Sequence, residues 1–354
     1  MQQEVRARAG AMRDIVVVGA SSGGLEVLQL ILSRLPADLP ACLFVVIHIG
    51  ETSILARVLG RDSVLPVQEA RSGEVPRHGH VYVGVPGKHL LLHGDHMMLR
   101  RGPRENQARP AVDVLFRSAA ATFGPRVIGV VLSGSLADGT AGLRAIKRCG
   151  GLAIVQDPRG ALVPNMPQSA LRHVDVDEVL TGPEIAARLA MLVRLPAPPM
   201  PDIPLDIRLE AAIAAQELAD MRADDMLGKP SRFTCPECHG ALWEIEDGSL
   251  VRYRCHVGHA YSSDAMLASQ SEEIDRLLGT LQRSHQERAE MAWRMSAHER
   301  SNGRARLADH LERRAADYAR DAELMKKLLR SGTDDDEVVT NSGLRSAVEH
   351  DPGE

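Results

Sequence analysis

Aromatic side chains are scarce in this 354-residue chain, with two Trp, four Tyr and four Phe making up 3% of it, so its cores must be packed from aliphatic residues. Long apolar runs are missing too. The longest, Ala41 to Ile47, has seven residues, where a membrane-spanning helix needs about 20. The start, MQQEVRARAGAMRD, carries charges but no apolar stretch leading to a cleavage site, which argues against a secretory leader and sets the expectation of a cytoplasmic protein. No excess of positive charge is present. A net charge of -5 and a pI near 6.3 argue against a nucleic-acid partner, whose binding draws on clustered Lys and Arg. Cysteine is sparse, at five residues. Cys42 and Cys149 stand singly, while Cys235, Cys238 and Cys255 cluster at a spacing suited to metal rather than to disulfides.

The length allows two or three domains, and 44% hydrophobic and 25% charged residues are ordinary for a globular protein. From residue 14 to about 194, short β-branched runs alternate with helical stretches, the pattern of an α/β domain with a mostly parallel sheet covered by helices. The expected strands are Ile15 to Val18, Cys42 to Ile47, Val127 to Leu132 and Leu152 to Val155. Helices are expected at Leu25 to Leu35, Val112 to Phe123 and Ile185 to Val193. Residues 88 to 100, KHLLLHGDHMMLR, read as an antiparallel hairpin about Gly94-Asp95, inserted at one edge of the sheet. Residues 195 to 204 hold five Pro in ten positions, so a stiff linker and domain boundary is expected at 195–205. Beyond it, a helix from Asp206 to Met226 and a Cys/His module fill 206–262. A helical hairpin is expected at 263–330, broken at Ser301-Asn302-Gly303, with Ile274, Leu277 and Leu281 before the break and Leu307, Leu311, Tyr318, Met325 and Leu328 after it. Residues 331–354 hold seven acidic residues and one Arg, and read as a disordered tail.

Gly19-Ala20-Ser21-Ser22-Gly23 fits G-x-S-x-G, in which a sharp strand-to-helix turn presents a Ser hydroxyl. The same small residues before a helix also suit a phosphate-binding loop. His48 directly follows the Cys42 to Ile47 strand, and Asp138 lies just beyond the Val127 to Leu132 strand. In a parallel sheet the carboxyl ends of the strands share one edge, so Ser21, His48 and Asp138 could converge as nucleophile, base and acid. Taken singly, His48 could be structural and Asp138 could cap the next helix.

At this point the chain resembles a known family. Gly19-Ala20-Ser21-Ser22-Gly23-Gly24, Arg109-Pro110-Ala111-Val112-Asp113-Val114-Leu115-Phe116, Leu132-Ser133-Gly134 running to Asp138-Gly139 with Ala141-Gly142, the segment HVYVGVPGKHL and Met166-Pro167 are similar in order to the catalytic domain of CheB-type chemotaxis protein-glutamate methylesterases. The resemblance covers residues 14–194. It implies a serine esterase on a doubly wound, mostly parallel α/β fold, with Ser21 as nucleophile, His48 as base and Asp138 as acid. The implied substrates are γ-glutamyl methyl esters on the cytoplasmic domains of methyl-accepting chemotaxis receptors, with glutamine deamidation in the same site. Oxyanion donors are expected near Ser22 and in the Gly134-Ser135 loop, and Arg109 is expected to position the substrate or that loop. Two segments depart from the family pattern. Ile49-Gly50-Glu51-Thr52 stands where Met-Pro and a Phe usually follow the His, and Gly134-Ser135-Leu136 stands where Gly-Met-Gly is usual. Only about thirteen residues precede the first strand, so the usual receiver domain is absent from the sequence, and activation without phosphorylation in cis is expected.

The C-terminal half adds CPECHG, sixteen residues from His239 to Arg254, and then CHVGH. Two such knuckles can grip one tetrahedral Zn, which makes a small zinc-ribbon-like module the expectation. Its ligands are read as Cys235, Cys238, Cys255 and His259, with His256 as the substitute for His259. With four protein ligands the Zn would be structural; no catalytic cofactor is expected. A redox dithiol at Cys235 and Cys238 is the competing reading, but it leaves Cys255 and the His residues unexplained. The helical hairpin is read as a protein-contact or self-association arm. Two other functions compete with the receptor esterase: a non-enzymatic signalling scaffold, and an esterase acting on another substrate.

Overall fold

The computed structural model describes residues 11–48, 54–216 and 228–342. It begins with β1 (Ile15–Ala20), α1 (Gly24–Leu32), β2 (Cys42–Ile47) and α2 (Leu55–Leu59). Next come the short β3 (Val67–Glu69) and β4 (His80–Val83), then β5 (His89–His93), β6 (His96–Arg100) and α3 (Val112–Phe123). After these, β7 (Val127–Val131), α4 (Thr140–Arg148), β8 (Leu152–Gln156), α5 (Asn165–His173), β9 (Glu178–Leu180) and α6 (Gly182–Leu192) complete an α/β layer structure. Seven strands form one sheet in the order β3-β4-β2-β1-β7-β8-β9, and all its pairings are parallel.

Every residue of β1, β2 and β7 is buried, because helices cover both faces of a parallel sheet. Successive residues of β1 serve opposite cores: Ile15 and Val17 face α3 and α4, while Val16, Val18 and Ala20 face α1 and α6. The chain builds outward from β1 through β2 to β4 and β3, then crosses to the other side of β1 for β7, β8 and β9. The crevice at this reversal, beyond the carboxyl ends of β1 and β7, is where open α/β sheets bind ligands.

The hairpin expected at a sheet edge forms but does not join that sheet. β5 and β6 pair only with each other. Leu90, Leu92 and Met97 enter the core under α3, and Leu91 and Met98 on the other face meet Val114 and Ala214. An HLLLH strand is apolar on both faces, and this sandwiched position covers both.

Helix α7 (Leu205–Ala214) starts as expected, and residues 217–227 of the expected helix lie outside the described residues. A second, antiparallel sheet follows, with β10 (Lys229–Thr234), β11 (Ala241–Asp247), β12 (Leu250–Cys255) and β13 (Ala260–Ser262) in that order. The Pro-rich segment expected to divide two domains does not end a compact unit, which instead runs to Leu267 and includes this sheet. The reason is a buried ionic cluster. Glu105 pairs with Arg117 at 2.6 Å and with Arg254 at 2.9 Å, while Glu210 on α7 pairs with Arg252 at 2.7 Å and with Arg254 at 2.9 Å. Burial disfavours both charged carboxyls, but the arginines overcome it and hold both below the usual carboxylate range.

The second unit is a helical hairpin of α8 (Ser263–Ser301), from Ala268 on, and α9 (Ala305–Ser342), turning at Gly303 with φ 76°. Its seam differs in part from the expected one. Ala289, Ala292, Ser296, Ala308, Ala315 and Ala322 are buried, whereas Ile274, Leu277, Leu281, Leu307 and Leu328 are exposed; of the expected set, Leu311, Tyr318 and Met325 are half-buried, and Tyr318 meets His285 and Arg288 of α8. Small residues let the two helices approach closely, and the Ser296 hydroxyl donates across the seam to the Ala308 carbonyl at 2.8 Å. α9 continues to Ser342, into the stretch expected to be disordered, since extending a helix costs far less than starting one. Residues 343–354 lie outside the described residues.

Removing one member of a buried ion cluster strands its partners, at a cost of about 3 to 5 kcal/mol. Glu210→Ala leaves Arg252 without its carboxylate and should lower the stability of the full chain by that amount, read from urea unfolding.

Candidate active site

Ser21 follows the last residue of β1 and His48 the last residue of β2. The strands are parallel neighbours with Ala20 opposite Ile47, so the register sets Ser21 beside His48. The His48 N–H donates to the Ala20 carbonyl at 3.2 Å, which extends the ladder to the site itself. Ser21 sits on a tight turn closed by Gly24 N–H to the Ser21 carbonyl at 3.0 Å. Gly23, the residue before α1, takes φ 74°, a left-handed conformation that glycine adopts without strain. The turn is pinned from β7: Ser21 N–H donates to the Ser133 carbonyl at 2.9 Å, and the Ser133 hydroxyl donates to the Ser22 carbonyl at 2.8 Å. Gly134 lies so close that a Cβ there would stand 2.7 Å from the Ser21 Cβ.

His48 Nε2 is 2.8 Å from Asp138 Oδ2, with the imidazole 23% and the carboxylate 2% exposed. The same Oδ2 accepts the Val112 N–H at 2.7 Å. Oδ1 accepts from Asp113 N–H at 3.0 Å, Gly139 N–H at 3.0 Å and the Asn106 amide at 3.1 Å. Asp138 therefore caps α3, whose first N–H groups have no helical partners. The helix that follows it, α4, receives its cap from Asp113 instead: Oδ1 of Asp113 accepts Gly139 N–H at 3.0 Å and Gly142 N–H at 2.6 Å. Each carboxylate thus serves the start of the other's helix.

Two carboxylates so close cannot share the same ionisation behaviour. Burial pushes the Asp113 carboxyl up and the Asp138 charge adds to this, raising it to about 7. Asp138 is equally buried, but the hydrogen bond and charge of His48 and the Val112 and Asp113 amides outweigh burial and hold it below its ordinary value. Asp138 is the ionised member.

Of the expected oxyanion donors, the Gly134 N–H is taken up by the Val163 carbonyl at 2.9 Å, which leaves Ser22 and Ser135. Arg109 braces its own loop, donating to the Gly102 carbonyl at 2.8 Å. Residues 49–52, where the sequence departs from the family pattern, lie outside the described residues.

A family model described as CheB methylesterase matches residues 16–189. A Leptospira interrogans protein named, provisionally, protein-glutamate methylesterase/protein-glutamine glutaminase is 39% identical over 176 residues, covering 49% of this chain and 91% of its own. The chain belongs to the CheB methylesterase family. An Anaeromyxobacter dehalogenans relative named protein-glutamate methylesterase/protein-glutamine glutaminase 2 is 42% identical over 183 residues, which is 51% of this chain and 54% of that protein. The crystal structure of the Thermotoga maritima CheB methylesterase catalytic domain aligns at a TM-score of 0.50 and 36% identity, covering 51% of this chain and 98% of that one. The family match therefore ends before α7 and leaves the rest of the chain to be read from its own residues.

In that remainder, Cys235, Cys238, Cys255 and His259 each aim one donor atom into a common space, all within 4.8 Å of one another. His256, the substitute ligand, is exposed and not among them. Cys238 Sγ lies 3.6 Å from Cys255 Sγ, and His259 Nδ1 lies 3.6 and 3.5 Å from Cys235 and Cys255 Sγ. His259 Nε2 faces Glu237 at 3.3 Å, and Tyr261 donates to the same Glu237 at 3.0 Å.

Several residues that shape the site were missed as participants in the sequence. Asn106, Asp113 and Ser133 act through long-range hydrogen bonds that no local spacing announces.

An acid whose folded value is raised binds more protons folded than unfolded between its two values, so it weakens the fold as pH rises through that window. For Asp113 the window runs from its ordinary 3.8 to about 7. Unfolding free energies of wild type and Asp113→Asn should therefore diverge in the variant's favour from about pH 4 to about pH 7 and run parallel above that.

Proposed function

We propose that the chain is a protein-glutamate methylesterase in which Ser21 is the nucleophile, His48 the general base and Asp138 the orienting acid. The observation that carries this is the convergence of the three residues at adjacent strand ends with His48 hydrogen-bonded to an ionised, five-fold ligated Asp138. A carboxylate can only accept, so His48 Nε2 carries the proton and Nδ1 remains the basic nitrogen. Ser21 Oγ attacks the ester carbonyl while its proton passes to Nδ1. The tetrahedral intermediate expels methanol, which takes that proton, and leaves a glutamyl ester on Ser21. Water then attacks with His48 again as base, the Ser21–acyl bond breaks, and Ser21 recovers its proton as glutamate departs. With glutamine the leaving group is ammonia. Amides of Ser22 and Ser135 are the candidate donors to the oxyanion, each worth about 3 kcal/mol in the transition state.

The relatives' names supply the substrate class, γ-glutamyl methyl esters and glutamines of a protein. We assign methyl-accepting chemotaxis receptors as that protein. No helix among the described residues is long and apolar enough to cross a membrane. The exposed apolar residues of the helical hairpin, such as Leu277 and Leu281, are the surface that self-association would use.

The Cys/His cluster fits a structural zinc ion. Tetrahedral Zn with Zn–S near 2.3 Å and Zn–N near 2.0 Å sets S···S at about 3.8 Å and S···N at about 3.6 Å, and the observed 3.5 to 3.6 Å separations match. Glu237 on the far ring nitrogen fixes the His259 tautomer for ligation through Nδ1. Such an ion would contribute folding energy to the module and no step of the hydrolysis.

Methanol release from methylated receptor cytoplasmic fragments tests the enzyme. Ser21→Ala should abolish it, and Asp138→Asn should lower kcat by roughly 10³ to 10⁴, as loss of the orienting acid does in other triads. Wild-type protein that is folded yet releases no methanol from receptor fragments, but turns over simple esters, would shift the reading to another substrate; no turnover of either would leave a scaffold. Elemental analysis should find one zinc per chain, and Cys238→Ser should lose it together with most of the thermal stability of residues 229–262.

A further inference from the structure

The Cys/His module and the catalytic acid meet at one side chain. Asn106 is 7% exposed and lies on the loop before α3. Its amide NH2 donates one hydrogen to Asp138 Oδ1 at 3.1 Å and the other to Asp113 Oδ2 at 2.9 Å. Its Oδ1 accepts the Ser262 N–H at 2.9 Å, and its own N–H donates to the Ala260 carbonyl at 2.7 Å. Both partners of the second pair belong to β13, which begins one residue after His259.

The direction of this amide matters. The ionised Asp138 can only accept, so it needs the NH2 end, and the Ser262 N–H needs the oxygen end. β13 thereby fixes the one orientation in which Asn106 bridges Asp138 and Asp113 with a hydrogen for each. The loop backbone is also held in place. Asn106 and Gln107 take φ values of 50° and 65°, an unfavourable left-handed pair for residues other than glycine. Their conformation is over-determined by the bonds to Ala260, by Ala260 N–H to the Arg104 carbonyl at 3.3 Å, and by Glu105, which Arg254 on β12 grips from the module side.

We propose that Asn106 is a positioning residue for Asp138 and that the Cys/His module is its support, so that turnover in this chain depends on a module that contributes no reacting atom. This rests on the triad reading above. The module acts through the loop: β13 holds Asn106, Asn106 holds the Asp138 carboxylate, and the carboxylate orients His48. Two other ionisable groups are coupled to Asp138: Asp113, which itself feels Arg117 and Glu105, a carboxylate paired with Arg117 and Arg254, and His89, which burial disposes to the neutral form and which donates to the Pro103 carbonyl. Asn106 also disperses the Asp138 charge. Without that hydrogen bond the carboxylate holds the protonated imidazole more firmly, and the acid limb of the rate profile moves to higher pH.

The test uses full-length protein as purified, with methanol release measured across pH and hydrogen exchange followed in the 104–113 peptide. Asn106→Ala should lower kcat roughly tenfold with KM within about twofold, the mark of lost orientation rather than lost binding. Asn106→Asp keeps the backbone bonds and the acceptor for Ser262 but removes the donor, so it should lose at least as much kcat at pH 8 while the loop stays protected. In the Ala variant the acid limb should shift upward, a change that mere destabilisation would not cause. Stripping the metal with a strong chelator should accelerate exchange in residues 104–113 and lower kcat in parallel. Folded Asn106 variants with unchanged kcat and an unmoved acid limb would overturn the proposal. So would metal removal that leaves exchange and kcat unchanged, or that raises kcat, since the module would then be a bystander or a cover. Methanol release that persists in Ser21→Ala is a different failure, one that removes the triad reading itself.

Discussion

A carboxylate can be kept ionised inside a protein only where donors replace the water it has lost, and the site is built around that requirement at Asp138. Four of its hydrogen bonds come from Val112, Asp113, Gly139 and Asn106, and the fifth from His48. Meeting that demand brings the starts of α3 and α4 together. Gly142 is the visible consequence, since a Cβ there would stand 3.0 Å from the Asp113 backbone. The second carboxylate, Asp113, is the cost of using facing helix N-termini, and it is driven toward its neutral form. One buried acid holds the imidazole while the other holds the scaffold, and their opposite shifts follow from which of them has the histidine.

The same α3 links the site to the ionic cluster beneath it. Arg117, about one turn after Asp113, pairs with Glu105 and Glu210, and these reach Arg254 and Arg252 on β12. Buried ion pairs of this kind add little net stability compared with apolar packing, but they tolerate only one arrangement. The Cys/His module is a four-stranded sheet with a small apolar cluster around Leu242 and Tyr261, and it has little core of its own. Bound through five charged side chains, it sits in one register against the α/β layers. Leu136, in the loop carrying Asp138, packs against that small cluster, so the departure from the family's loop pattern lies where the added module touches it.

The parts of the chain that were legible in sequence were those governed by local rules. Apolar runs such as CLFVVI announced strands covered on both faces, G-x-S-x-G announced the turn at Ser21, and paired Cys knuckles announced the clustering of three thiols with His259. Short β3 and β9 at the two edges and the four-residue β4 beside β3 did not stand out, because a strand of three or four residues takes its identity from its neighbours rather than from its own residues. The helical hairpin was legible but its seam only in part: Tyr318 meets the facing helix, whereas Ile274, Leu277 and Leu281 are exposed and the fully buried positions are mostly alanine, because close helix approach favours the small side chain.

Residue type and order by themselves determined which chemistry the chain could carry: a hydroxyl on a glycine-flanked turn, an imidazole and a carboxylate at strand ends, and three thiols with a histidine at knuckle spacing. Only the tertiary structure decided which carboxylate is ionised, that Asp138 caps α3 rather than the helix after it, and that the Cys/His module reaches Asp138 through Asn106. Those are properties of contacts between residues 25, 32 and 156 positions apart. Their energies depend on burial and on how many donors converge on one oxygen, and both are set by packing.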